Sequence, residues 1–295
     1  MTANNEVSTL RLGLPVWGHK PWKGEFFAAK TQPAQFLQQY ASVFNAVEGN
    51  TTFYGKPQQN TVDRWKRQTP ETFKFCFKLP KWITHGKELK VTDSELTQFF
   101  SRIEPLGQRI GPFMIQLPAS FGPDSLDVLR RFISRLPHRY LYGLEVRNHD
   151  FFDQGQNEGK LNRLLSAYSI DRIVFDTRKL HSAGAGDEEL ASVQRKKPLM
   201  PVRFATTGAH PILRYVGVND KLNNASHLKE WAIVVADWIQ QGYHPYVFIH
   251  APDEFYAPRL ADYFYSLLQG LIKLPARPSW PALRGGDGKD QLALF

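Results

Sequence analysis

The chain has one cysteine, Cys76, in 295 residues. No intrachain disulfide can form, which excludes a small secreted scaffold held by disulfides. No apolar run is long enough to span a bilayer. The opening stretch, Met1 to Thr9, is polar, contains Glu6 and lacks the basic-then-apolar layout of a signal peptide. These absences point to a cytoplasmic protein with no membrane partner. No GxGxxG or Walker-type glycine loop follows the first apolar run, which argues against an open, doubly wound nucleotide-binding sheet. The nine histidines contain no HxH and no HExxH pair. Internal repeats and low-complexity tracts are also absent.

What is present is an ordinary globular composition, 42% hydrophobic and 22% charged, with enough length for a large core. The formal net charge is +9, a balance that favours anionic partners such as nucleic acid or phosphorylated metabolites.

Eight strand-like runs recur, near residues 10–16, 43–49, 73–79, 112–117, 141–146, 172–176, 212–218 and 245–250. Period-two alternation is clear at Phe73, Phe75 and Phe77, with Lys74, Cys76 and Lys78 on the opposite face. Between the runs lie stretches with helical spacing. Pro33 opens one with Phe36, Leu37 and Tyr40 on one face; Thr92 or Asp93 caps the next; Asp124 begins another; further helices fit 157–168, 226–240 and 257–272. Strand–helix alternation repeated eight times predicts an α/β fold, a single (β/α)₈ TIM barrel with an extended C-terminal tail. The division is 1–9 as an extension, 10–280 as the barrel and 281–295 as linker and tail. The connection 177–211, with its glycines, prolines and the basic run Arg195-Lys196-Lys197, is long for a βα loop and suits a short helix or a lid.

Strands of a parallel barrel are buried on both faces, so polar residues near their ends need a reason. Glu48, Lys78, Gln116, Glu145 with Arg147, Asp176, Arg214 and His250 stand at successive strand ends, with Asp253 just beyond. In barrels that end carries the chemistry. Glu48, Glu145, Asp176 and His250 are the acid–base candidates. Asn50, Tyr54, Lys78, His85, Gln116, Arg147, Arg214 and Trp17 are the substrate-binding candidates. The structural alternative is pairing alone: Glu48 with Lys78, and Glu145 with Arg147 or Arg214. The loops add Trp17, His19, Lys20, Trp22 and Lys23, then Phe53 and Tyr54, then Lys81, Trp82, His85, Lys87 and Lys90. Aromatic faces with lysines suit a nucleotide, a sugar phosphate or single-stranded nucleic acid. Metal ligands could be drawn from His85, His250, Glu48, Glu145, Asp176 and Asp253. The neighbouring Lys78, Arg147 and Arg214 fit an anion better than a dense cation site, so no metal is expected. No cofactor is named by any motif.

The stretch from Phe44 through Glu48, Gly49 and Asn50 to Phe53 and Tyr54 resembles the signature of the YecE-like family of unknown function. So do Arg64-Trp65 with Thr69-Pro70, Lys78-Leu79-Pro80 with Ile83, Thr84 and His85, Gln116-Leu117-Pro118 with Phe121, Glu145-Val146-Arg147 and the Arg214 strand. The resemblance runs from about Leu10 to Leu271 and implies a TIM barrel without supplying an activity. At the level of fold that family is similar to the endonuclease IV and sugar-isomerase barrels. This chain lacks a full set of the histidine and carboxylate ligands of the endonuclease IV metal cluster, which argues against a carried-over nuclease mechanism and leaves nucleic-acid or phosphate binding open.

After Pro281 the character changes. Arg284 to Asp290 reads as a flexible linker, and it ends in Gln291-Leu292-Ala293-Leu294-Phe295. This pentapeptide resembles the segment by which bacterial polymerases and repair proteins dock on the sliding clamp. The resemblance implies that Leu292, Leu294 and Phe295 fill apolar pockets and that Gln291 fixes the peptide by hydrogen bonds. Packing of the same residues on their own barrel is the alternative. Three functions follow as expectations. The first is a DNA-associated protein with a phosphate site and clamp recruitment. The second is an isomerase, lyase or hydrolase acting on a phosphorylated or carboxylated sugar. The third is a non-catalytic clamp-associated adaptor.

Overall fold

A computed structural model describes residues 10–184 and 188–284. Eight strands form among the described residues: β1 Arg11–Gly13, β2 Ala46–Gly49, β3 Lys74–Phe77, β4 Phe113–Gln116, β5 Tyr142–Glu145, β6 Asp171–Asp176, β7 Ile212–Val216 and β8 Tyr246–His250. Each falls within or at the edge of one of the apolar runs of the sequence. The strands are parallel and make an α/β fold. Six pair in the order β1-β8-β7-β6-β5-β4, and β2 pairs with β3.

Two seams separate these groups, and each carries hydrogen bonds of its own. Between β3 and β4, Gly111 N–H donates to Phe75 O at 2.9 Å, and Leu79 N–H donates to Met114 O at 2.9 Å. Between β1 and β2, Glu48 N–H donates to Leu14 O at 3.0 Å, and side chains replace the rest of the ladder. The Tyr40 hydroxyl accepts from Leu14 N–H at 2.8 Å and donates to Ala46 O at 2.9 Å. Asn45 spans Leu12 N and Leu10 O at 2.8 and 2.9 Å. Gly13 permits this approach, because a Cβ there would lie 2.1 Å from Ala46 O.

The alternation of the strands sorts their side chains into two cores. Ala46, Cys76, Met114, Ile173, Ile212, Tyr246 and Phe248 make one buried apolar cluster from six different strands. The intervening residues, including Val47, Phe75, Ile115, Leu144, Val174, Leu213 and Val247, join the larger cluster beneath the helices. Gly143 of β5 leaves room in the first cluster: a Cβ there would meet Ile212 Cδ1 at 2.5 Å.

The helices sit near the expected positions. Phe36–Ala41 follows the turn Pro33–Gln35, with Phe36, Leu37 and Tyr40 buried. Thr92 caps Asp93–Ile103, its hydroxyl accepting from Glu95 N–H while Glu95 reaches back to Thr92 N, a reciprocal box. Leu126–Ile133, Gln156–Ala167, Ala225–Gln240 and Ala257–Gln269 cover the other strands. The amphipathic helix Gln59–Gln68 buries Val62 and Trp65. The long connection after β6 holds two helices, Arg178–Ser182 and Glu188–Lys196.

Pro281–Leu283 form a short turn in which Pro281 is buried and Ala282 N–H donates to Phe26 O at 3.2 Å. Arg284, the last described residue, donates to Ser42 Oγ at 3.2 Å and to Ser279 O at 2.8 Å. Residues 1–9 and the tail Gln291, Leu292, Leu294 and Phe295 lie outside the described residues. No helix among the described residues is long and apolar enough to cross a membrane.

Candidate anion site at the strand carboxyl ends

Moving two residues along a strand keeps a side chain on the same face. From the inner apolar cluster, that step leads from Ala46 to Glu48, from Cys76 to Lys78, from Met114 to Gln116, from Gly143 to Glu145, from Ile212 to Arg214 and from Phe248 to His250. A charged layer therefore sits directly above an apolar one. Its members are almost completely shielded from solvent: Glu48 0%, Glu145 1%, Arg214 3% and His250 2%.

Arg214 is the centre of this layer. Its Nη2 and Nε donate to the two Glu48 oxygens at 2.7 and 2.8 Å, a fork-on-fork pair. Its Nη1 donates to Glu145 Oε2. Arg147 donates through Nε to Glu145 Oε1 at 2.7 Å and through Nη2 to Gln116 Oε1 at 3.2 Å. Lys78 Nζ donates to the same Gln116 oxygen at 3.1 Å and stands 3.6 Å from Glu48 Oε1. His250 Nε2 meets Glu48 Oε2 at 3.0 Å. An ionised carboxylate only accepts, so Nε2 carries the proton. The Phe175 ring lies under both guanidinium groups, 5.0 Å from Arg147 and 4.9 Å from Arg214.

The electrostatics follow from that geometry. Burial works to raise the Glu48 carboxyl, but Arg214, His250 and Lys78 overcome it and hold the group well below the ordinary carboxylate range. Glu145 experiences the same contest, and Arg214, Arg147 and Lys78 bring it down to about 2. Burial lowers His250 to about 4 against the pull of Glu48. Burial, with Arg214 beside it, lowers Lys78 to about 8. At neutral pH the layer thus contains two carboxylates, two guanidinium groups, a mostly protonated lysine and a neutral imidazole. Among the described residues no three His, Cys, Asp or Glu side chains converge as metal ligands; the carboxylates meet cations instead.

The remaining candidates divide by position. His85 lies at the rim. Its Nδ1 is 2.9 Å from the Thr84 hydroxyl, its ring is 5.4 Å from Phe53, and burial together with Lys81, Arg147 and Lys78 lowers its pKa. Phe53 also faces Lys78 Nζ at 5.7 Å. Tyr54, packed edge-on against Phe53, is 83% exposed. Asn50 does not point at the network; its amide donates to Pro15 O at 3.0 Å and ties β2 to the loop after β1.

Trp17 is likewise separate. It packs on Trp65 and Phe75 at 5.4 and 6.1 Å and lines a different cleft of about 630 Å³ with Thr51, Arg64 and Trp65. Asp176 does not join the ring expected from the sequence. Phe175 occupies the inward position of β6, so Asp176 faces the helices, where it accepts from Trp231 Nε1 at 2.7 Å and Arg178 Nη2 at 2.8 Å. Arg178 continues to Glu230 at 2.6 Å.

Sequence reasoning missed two charged groups that the field of the network reaches, Lys197 and Glu254. Lys197 belongs to the basic run of the connection after β6, and Glu254 follows Asp253. Neither lies on a strand, so periodicity gave no signal. The carboxyl of Glu254 is buried with Oε2 unpartnered. Burial pushes it up to about 8, opposed by Lys197 and reinforced by Glu48 and Asp253.

The description "Protein of unknown function DUF72" belongs to the family model that matches residues 11–282. The UPF0759 protein YecE of Escherichia coli strain K12 is 38% identical over 271 residues, which is 92% of this chain and 97% of that protein. A DUF72 family protein of Thermotoga maritima has a TM-score of 0.67 at 24% identity, covering 88% of this chain and 99% of that one. A DUF72 family protein of Enterococcus faecalis has a TM-score of 0.66 at 16% identity, with 92% and 100% covered. These two likenesses speak for the fold alone. With the match running from the first strand to the turn after the last helix, the chain belongs to the DUF72 family, in which YecE is its relative.

Proposed function

We propose that this chain is a closed (β/α)₈ barrel whose carboxyl-terminal face binds a small phosphorylated or carboxylated molecule. The observation that carries this reading is the charge of the buried layer. Lys78, Arg147 and Arg214 outnumber Glu48 and Glu145, which leaves a positive charge in excess. The excess falls at the open edge, where the Lys78 and Arg147 side chains are 10% and 16% exposed. The two bonds from Arg147 use two of the five N–H donors of a guanidinium group and leave the others for an anion. Closure of the barrel is supported by the inner apolar cluster, to which strands of the β2–β3 pair and of the six-stranded sheet both contribute.

A carboxylate held near 2 is a weak base at neutral pH. Glu145 and Glu48 therefore act by aiming Arg214, Arg147 and Lys78, and the aromatic rim of Phe53, Tyr54 and His85 offers a face for a sugar or a base. The test is calorimetric titration with inorganic phosphate at low ionic strength. Arg147→Met is expected to weaken phosphate binding about tenfold or more, the loss of a charge-assisted hydrogen bond. Equal affinity in both proteins would remove Arg147 from the site.

We further infer that the protein works near DNA, recruited through Gln291, Leu292, Leu294 and Phe295 to the bacterial sliding clamp. The last described residue, Arg284, is at the surface, so the segment that follows starts from an accessible point. Titrating purified clamp with the full chain and with a chain ending at Asp290 tests this. Binding by the full chain only is expected, and equal binding by both would eliminate the tail as the recruiting element.

A further inference from the structure

We infer that the cleft lined by Trp17 and Trp65 binds a mononucleotide, with the base against the two indoles and the phosphate on Arg64 and Lys56. The cleft lies apart from the charged layer at the strand ends, and this inference does not depend on the anion site proposed there.

The cleft, of about 630 Å³, falls within the roughly 300–1,000 Å³ usual for small-molecule sites. Pro33, Ala34 and Leu37 line it from the first helical segment, and Thr51 and residues 55–57 from the stretch after β2. The helix Gln59–Gln68 contributes Thr61, Arg64, Trp65 and Gln68. Those four positions follow the i, i+3, i+4, i+7 spacing of one helix face. The Gln68 amide donates to Ala34 O, so two lining residues tie the helix to the turn Pro33–Gln35.

The indoles are fixed by the barrel. Trp65 lies nearly parallel to Phe75 and Phe77, with ring centres 5.9 and 5.5 Å away, and Trp17 stands at 77° to Trp65 at 5.4 Å. A ring already held in place stacks on a ligand with little further ordering cost. Trp65 is only 4% exposed, yet its Nε1–H has no acceptor among the described residues, and neither has that of half-buried Trp17. The buried indoles elsewhere are satisfied: Trp22 donates to Glu254 O at 2.9 Å and Trp231 to Asp176 Oδ2 at 2.7 Å. A buried indole N–H ordinarily finds a partner, so two open donors lining one cleft call for a ligand with acceptors in the plane of its ring. A phenyl ring has none; a nucleobase has several.

Charge in the cleft has one sign. Lys56 and Arg64 line it, and no Asp or Glu does. Lys56 Nζ is placed by Gln98 Oε1 at 3.2 Å and by the Trp82 ring at 5.3 Å. Arg64 makes no ion pair or hydrogen bond among the described residues. Two cations with no carboxylate between them suit a phosphate. Gln68, its amide committed to Ala34, keeps Oε1 as an acceptor for the exocyclic amino group of a base.

The experiment is calorimetry at pH 7 and low ionic strength with AMP, ribose 5-phosphate and an oligothymidylate. AMP and ribose 5-phosphate share sugar and phosphate, so their affinity ratio reports the base. The wild type is expected to bind AMP about tenfold more tightly than ribose 5-phosphate. Arg64→Ala, which removes an exposed and unpaired side chain, is expected to weaken AMP about tenfold. Gly55→Trp fills the cleft and brings the ratio below about twofold. The backbone of Gly55 is extended, φ −175°, and a Cβ there meets nothing within 4 Å, so the position accepts a side chain. Arg147→Met, at the strand ends, does not lower the ratio. Equal affinity of the wild type for AMP and ribose 5-phosphate overturns the inference, and so does AMP binding unchanged in Arg64→Ala or a ratio unchanged in Gly55→Trp. A ratio that falls in Arg147→Met overturns it too, because the base then sits at the strand ends. Binding of the oligothymidylate with none of AMP overturns it in favour of a nucleic-acid strand.

Discussion

Glu48→Gln is expected to cost about 3–5 kcal/mol of folding stability, the loss usual when one member of a buried ion network is removed and its partners remain. Glu48 receives both forks of Arg214, the imidazole of His250 and the charge of Lys78. Glutamine keeps the shape and one acceptor but not the charge, so three cations would then share Glu145 alone. Lys78, already lowered to about 8, would relieve part of the strain by releasing its proton, which sets the lower end of the range. Urea unfolding at pH 7 measures the effect. A loss under about 1 kcal/mol would mean that water, not Glu48, balances Arg214 and Lys78. Any fall in phosphate affinity in this variant would accompany the loss, because the same carboxylate aims the cations.

The second large effect is on acid stability, where two groups of the layer act in the same direction. Glu145 is held at about 2 in the folded chain, so its contribution is complete above the ordinary glutamate value and disappears as pH falls towards 2. His250 is held at about 4, so the folded state favours the neutral ring; that contribution is complete above about 6.5 and disappears as pH falls towards 4. Each step amounts to about 3 kcal/mol by linkage. Two raised carboxyls oppose them. Asp171, buried at the start of β6, is pushed up to about 7, and Glu254 to about 8. Their stability is complete below the ordinary carboxylate range and is lost as pH rises through those values. Between pH 7 and 4 the opposing slopes partly cancel in the wild type. His250→Gln removes one of them, and its stability relative to wild type should improve by about 2–3 kcal/mol on going from pH 7 to pH 4. A constant difference between the two proteins across that range would show that His250 titrates normally.

How far the sequence could be read depends on which physical rule governed each residue. Period-two alternation is local, and it placed Lys78 opposite Phe77 and Glu145 on the same face as Arg147 without any knowledge of neighbours. It failed at Asp176 because the rule fixes which residues share a face and leaves open which face points inward. The inward place on β6 went to Phe175, whose ring two guanidinium groups cover. Trp17 failed for another reason: a loop aromatic goes wherever apolar surface is available, here against Trp65 and Phe75. Asn50 was near the right place, yet a backbone carbonyl, Pro15 O, was the better partner for its amide.

The sequence alone therefore determined the eight parallel strands, the helices between them, most of the polar residues at the strand ends, and the family. All follow from spacing and residue type along a single segment. Tertiary structure alone decided the rest. Arg214 chose Glu48 from 166 residues away and His250 chose it from 202. Such contacts depend on how strands are arranged around a common interior, and pairing energy, not sequence distance, selects among the charges brought within reach.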